Sequence, residues 1–108
     1  TRDANAISAA DILKMASYDG AMAQGRTDCG RIAVGNRADI VLIDTDRPHL
    51  QPGFDSLSDI VFSAQGSDVV LTMTDGRVVY KDGEYSFIDK ERVYAEVRQR
   101  FNRIINEL

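Results

Sequence analysis

The residues of this chain able to do nucleophilic, acid–base or metal chemistry are few, and their spacing limits what they could do together. His49 is the single histidine and Cys29 the single cysteine of 108 residues. A histidine can act as a general base or metal ligand, and a thiolate as a nucleophile. Neither has a second His or Cys for company, so a metal site built on several such ligands cannot be assembled from this chain. His49 lies between prolines in the run Asp46-Arg47-Pro48-His49-Leu50-Gln51-Pro52-Gly53, which reads as a structural or surface position. Cys29 follows the end of a helical stretch without a neighbouring base, and reads as a small, at least half-buried residue. Asp39, Asp44 and Asp46 can be imagined around a cation, but the spacing lacks the Gly and distant Glu of a calcium loop. Asp39 opens a strand directly after a turn, where a short acidic side chain accepts hydrogen bonds from turn N–H groups. The run from Gly30 to Gly35 matches neither the GxGxxG nor the GxxxxGK[ST] phosphate-loop spacing. No catalytic, cofactor-binding or metal-binding residue is assigned.

The elements that must carry these residues can be read in order. Residues 8–24 form a helix: Ser8 caps it with Asp11 three positions on, and Ile12, Met15, Ala16 and Met22 fall at helical spacing. Gly25 ends it. Ser17, Gly20 and Ala21 leave one face almost without bulk, which lets another backbone approach. Residues 30–37 read as a short strand and a turn with Gly35-Asn36 at its tip. Residues 38–44 read as a strand whose apolar run, Ile40-Val41-Leu42-Ile43, implies burial on both faces. Residues 46–53 form the one long loop. Three strands come after it, at 68–74, 77–81 and 84–88, divided by Asp75-Gly76 and Asp82-Gly83. Each Asp-Gly pair suits a type I′ turn, so a three-stranded antiparallel meander is expected. Asp89 caps a last helix whose Val93, Val97, Phe101, Ile104 and Leu108 make one apolar stripe. That stripe is expected to cover the chain's own sheet, with Glu96 pairing Arg92 and Arg100 on the outer face.

Composition bounds the function class. The chain holds 17 Asp and Glu against 13 Lys and Arg, a net charge of −4, with 44% hydrophobic and 28% charged residues. That is the range of one globular domain, and the acidity speaks against a nucleic-acid footprint. The longest apolar run is too short to span a bilayer and the first residues lack a signal-peptide core, so no membrane partner is expected and a cytoplasmic location is the default. Residues and spacing alone give a soluble α+β domain without an active site of its own.

Three stretches in series resemble one family. Residues 10–25, with Ala16-Ser17-Tyr18-Asp19-Gly20-Ala21, are similar to the helix near the end of the amidohydrolase barrel. Residues 30–44, with Ala38-Asp39-Ile40-Val41-Leu42-Ile43-Asp44, resemble the segment that comes after that helix. Residues 59–89 resemble the family's closing strands through Ser63-Ala64-Gln65-Gly66-Ser67-Asp68-Val69 and Asp75-Gly76-Arg77-Val78-Val79-Tyr80-Lys81-Asp82-Gly83. The first of those runs, and the loop around His49, resemble the branch of chlorohydrolases and 5-methylthioadenosine/S-adenosylhomocysteine deaminases. Ser17 stands where the family motif usually has Thr, and Thr72-Met73-Thr74 is less apolar than the usual strand end.

The resemblance implies a division into a last barrel-type helix (1–25), the C-terminal part of a composite β-sandwich flanking a TIM barrel (26–89) and a closing helix (90–108). It implies a parent hydrolase that uses divalent zinc or iron, held by histidines and an aspartate that have no counterpart here. The segment would then be inert alone, with the barrel and N-terminal strands of the parent as its partners. Unpaired sheet edges make a homo-oligomer a further expectation. The other reading is a self-standing β-rich binding or oligomerisation module of the same ancestry.

Overall fold

The structure is a computed structural model and describes residues 7–108; residues 1–6, which open the expected first unit, lie outside it. The first helix begins as expected. The Ser8 hydroxyl accepts from the Asp11 N–H while the Asp11 carboxylate accepts from the Ser8 N–H, a closed capping box at the start of α1 (Ala9–Lys14). A π-helical turn, Met15–Asp19, then leads into α2 (Gly20–Ala23). Gly20 makes that widening possible: a Cβ there would stand 3.2 Å from the Met15 carbonyl oxygen, which the Gly20 N–H instead approaches as a donor. Gly25 closes the helix at φ +74°.

Strand β1 (Ile40–Ile43) opens a four-stranded antiparallel sheet in the order β1-β2-β3-β4. The other strands are β2 (Val69–Thr74), β3 (Arg77–Lys81) and β4 (Glu84–Tyr85). Ile40 pairs with Met73 and Leu42 with Leu71. Both Asp-Gly turns take the expected shape, with Asp75 and Asp82 at φ 50° and 47° and a positive-φ glycine after each. The meander is therefore present and β1 extends it by one strand.

Five expectations change. Residues 30–34 form no strand; they run as irregular chain, and Ile32 and Val34 project outward. Strand β1 is not buried on both faces. It has one neighbour, and Val41 and Leu42 are about half exposed, because an edge strand covered by nothing cannot hide its second side. The last strand stops at Tyr85, with one further backbone bond from Ser86 N–H to the Val79 carbonyl. The segment after the proline loop contains a helix, α3 (Ser56–Phe62), capped by Asp55 and packed against α1. Its signal was available: Asp55 precedes Ser58 by three positions, and Leu57, Ile60 and Val61 share a helical face.

The last correction concerns α4 (Lys90–Asn106). It starts at the expected Asp89 cap, but it lies along none of the other elements, and its apolar stripe is open. Its outer face keeps the Arg92 to Glu96 ion pair at 3.1 Å but not the expected one from Glu96 to Arg100. With α4 projecting, the chain measures 53 × 36 × 29 Å and has a radius of gyration of 18.6 Å, against about 13 Å for a compact chain of this length. Among the described residues Cys29 and Leu50 are the buried apolar side chains, and Asp68 the buried charged one. No helix is long and apolar enough to cross a membrane.

Candidate functional site

Two places gather polar side chains around structure that the fold fixes. The first joins the end of β1 to the start of β2. Backbone pairing runs past the strands, as the Asp44 N–H donates to the Asp68 carbonyl at 2.8 Å. From there the chain passes into a single 3₁₀ turn, Pro48–Leu50, which begins on a proline suited to a first helical position. The turn sinks Leu50 to 1% exposure and brings His49 back toward the sheet.

His49 Nε2 lies 2.7 Å from Asp68 Oδ2, and the same oxygen accepts the Gln65 N–H at 2.8 Å. Asp68 is 1% exposed, so these bonds are what make its charge tolerable there. Its carboxyl is held below the ordinary carboxylate value, first by the Gln65 N–H and then by the His49 bond, against the opposing pull of burial. Arg47 adds a nearby positive charge. Its Nε is 3.1 Å from Asp44 Oδ2 and 3.9 Å from Asp68 Oδ1, but aligns a hydrogen bond with neither. The carboxylate of Asp44 is also engaged locally, accepting the Asp46 N–H at 2.9 Å.

The second place is an open groove of about 570 Å³ between the first helices and β1, with Arg26, Cys29, Arg31 and Asp39 among its lining residues. The groove's floor is a close backbone approach. Gly30, at φ +91°, sits where an added Cβ would meet the Ala21 Cβ at 2.8 Å and the Ser17 carbonyl oxygen at 2.9 Å. The small face of Ser17, Gly20 and Ala21 thus does what its composition implies. Arg37 pins the loop beyond Gly30. Its Nε donates to Asp28 Oδ2 at 2.7 Å and its N–H to the Asp28 carbonyl, and this bond holds the Asp28 carboxyl below the usual range.

Asp39 does accept a turn N–H, but from a remote turn. Its Oδ1 takes the Asp75 N–H at 2.8 Å across 36 positions of sequence, and the Gly76 N–H donates to the Ala38 carbonyl beside it. Arg26 Nη2 stands 3.8 Å from its other oxygen. This side chain locks the β2–β3 hairpin to the entry of β1.

Neither place presents a nucleophile with a base. His49 is spent on a buried carboxylate 2.7 Å away, and Cys29 is buried with no imidazole beside it. Among the described residues no three His, Cys, Asp or Glu side chains converge as metal ligands would. Sequence reasoning placed His49 and Cys29 correctly as structural residues but did not single out Asp68, the partner that gives His49 its role. The signal is weak, one acidic residue preceding a strand.

Comparison with known proteins gives the chain its relatives. The model of the amidohydrolase family matches residues 1–79. A 5-methylthioadenosine/S-adenosylhomocysteine deaminase of Caldanaerobacter subterraneus subsp. tengcongensis is 41% identical over 104 residues, which are 95% of this chain and 24% of that protein. A 5'-deoxyadenosine deaminase of Methanosarcina acetivorans is 37% identical over 105 residues, 97% of this chain and 24% of that protein. Among solved structures, an adenosine deaminase from Xanthomonas campestris with bound zinc superimposes with a TM-score of 0.89 at 32% identity, over 96% of this chain and 24% of that one. Atrazine chlorohydrolase TrzN from Arthrobacter aurescens TC1, complexed with zinc, gives a TM-score of 0.77 at 25% identity, over 85% of this chain and 20% of that one. The chain therefore spans about a quarter of the length of the curated relatives it matches.

Proposed function

This chain belongs to the amidohydrolase family, and from that premise we propose that its residues serve as the C-terminal structural portion of a metal-dependent hydrolase acting on non-peptide C–N or C–Cl bonds. Deamination of an adenosine-type nucleoside is the favoured activity, because the names of the curated relatives point to it. In this reading residues 1–25 are the last barrel-type helix and residues 26–89 supply part of a composite β-sandwich. The remainder of the parent chain is the partner.

One observation carries the reading: nearly the whole chain aligns with such enzymes while its own chemistry-bearing side chains are all committed to holding the fold. The zinc named for the two similar structures finds no fitting donor set here. The one imidazole is bonded to Asp68, the one thiol is buried, and Asp39, Asp44 and Asp28 each answer a backbone N–H or an arginine. No catalytic step through a metal is derived for these residues. Their contribution is geometric: the open sheet face, the unpaired edge of β1 and the exposed Ile32 and Val34 offer backbone and apolar surface to strands from elsewhere.

The purified 108-residue chain, supplied with zinc and assayed with adenosine, 5'-deoxyadenosine and 5-methylthioadenosine, is expected to bind no stoichiometric metal and release no ammonia. Turnover, or one tightly held zinc per chain, overturns the proposal.

A further inference from the structure

Helix α4 is the largest feature that the proposed function leaves unused. All of its residues except Lys90 are exposed, and Phe101 at its centre is 61% exposed. Apolar side chains on a helix with nothing beside it represent surface that a soluble protein normally covers. Their spacing says what kind of cover. Tyr94, Val97, Phe101, Ile104 and Leu108 succeed one another at intervals of three, four, three and four, the seam of a helix pair.

Charge selects the occupant and the register. Arg98 and Arg100 border the seam on opposite sides near mid-helix, and Glu107 lies on the same side as Arg100, two turns on. Among the described residues neither Arg100 nor Glu107 has an ion partner within the chain; the ion pair of this helix is between Arg92 and Glu96. Two copies of α4 can cross antiparallel in three seam registers. Full overlap sets Arg98 against Arg98 and Arg100 against Arg100, which repel. A shift toward the N-terminus inserts Lys90 into the seam. A shift toward the C-terminus layers Phe101 on the partner's Ile104 and Val97 on the partner's Leu108, each twice by symmetry. It also sets Arg100 opposite the partner's Glu107, again twice. In antiparallel pairs these flanking positions face each other, so this register alone satisfies both the seam and the charges.

We propose that α4 is a self-association helix, pairing antiparallel with α4 of a second copy through Val97, Phe101, Ile104 and Leu108, with Arg100 and Glu107 setting the register. The overlap involves a dozen residues at most, about 18 Å of helix. That falls short of the roughly 1,200 Å² that stable interfaces bury, so the association is weak and concentration-dependent. The inference does not depend on the chemistry of the parent enzyme.

Sedimentation equilibrium of the full chain over roughly a hundredfold range of concentration is expected to show a reversible monomer–dimer equilibrium. Arg100→Glu is expected to weaken it about tenfold, since two attractive pairs become repulsive. Arg100→Glu combined with Glu107→Arg is expected to restore association to within about threefold of the parent chain, because the pairs re-form with reversed sign. Circular dichroism on each variant checks that α4 is intact, as exposed charge changes leave it. A monomer at every concentration overturns the proposal. So does a dimer indifferent to Arg100→Glu, which would place the contact at the β1 edge, or one that the double variant fails to restore.

Discussion

At the scale of single residues, positions that hold the molecule together are those whose surroundings admit no substitute. Gly30 is one. Its φ of +91° and its 2.8 Å approach to the Ala21 Cβ leave a new methyl group neither a relaxed backbone nor space. Gly30→Ala is expected to cost about 2 kcal/mol or more, seen as a lower urea midpoint. Leu50, at 1% exposure, is the other; Leu50→Ala should cost about 2–4 kcal/mol by the same measurement. Asp68 links stability to pH. Its folded carboxyl titrates below the ordinary value of 3.8. Its contribution is therefore complete above that value and disappears as the pH falls through the lower, folded one. His49→Ala removes one of the bonds that lower it, so the variant is expected to be less stable at neutral pH. The gap from the parent chain should close as acid protonates Asp68 in both, which chemical denaturation at a series of pH values would show. A gap that stays constant down to the acid limit would mean that the bond contributes nothing through the carboxylate's charge.

At the scale of elements, local rules account for where helices and turns begin, and non-local bonds account for how they are joined. The Asp11, Asp55 and Asp89 caps and the two Asp-Gly turns are each settled within four residues. The attachment of β1 to the meander is different, because it depends on Asp39 reaching the Asp75 N–H and on strand pairing over about thirty positions. Asp39→Ala is expected to cost about 1 kcal/mol and to raise hydrogen exchange at the Asp75 amide while the β3–β4 amides stay protected. The helix α3 was legible in principle, since its cap and spacing obey ordinary rules. It was obscured by the prolines and glycine just before it, which mark a long loop and draw attention from the cap that ends that loop. The π turn at Met15–Asp19 left no sequence signal beyond Gly20, since a glycine inside a helix has several explanations.

At the scale of the whole molecule, what stands out is how little is buried. Two apolar side chains and one carboxylate are fully enclosed among the described residues, while Phe54, Phe62, Phe87 and Ile88 face outward with the α4 stripe. A chain so open should expose less additional surface on unfolding than a compact domain of equal length. Its urea slope is expected at or below the lower end of the usual range of about 1–3 kcal/mol/M. A slope typical of compact domains of this length would show that the chain buries more in solution than it does here, either on itself or on a second copy. The open faces are also what membership of a family of much longer proteins leads one to expect.

By itself, the sequence determined the local conformations and the ancestry: helix caps, Asp-Gly turns, the small face that receives Gly30, and the motif series that resembles amidohydrolases. Each rests on backbone torsions and short-range hydrogen bonds that a few neighbouring residues settle. Only the tertiary structure decided that His49 answers Asp68, that Asp39 caps a turn 36 residues away, that β1 is an edge, and that the α4 stripe turns away from its own sheet. The reason is physical. An apolar stripe or a charged side chain specifies that it needs a partner, but the partner's identity depends on which surfaces the closed chain brings within reach.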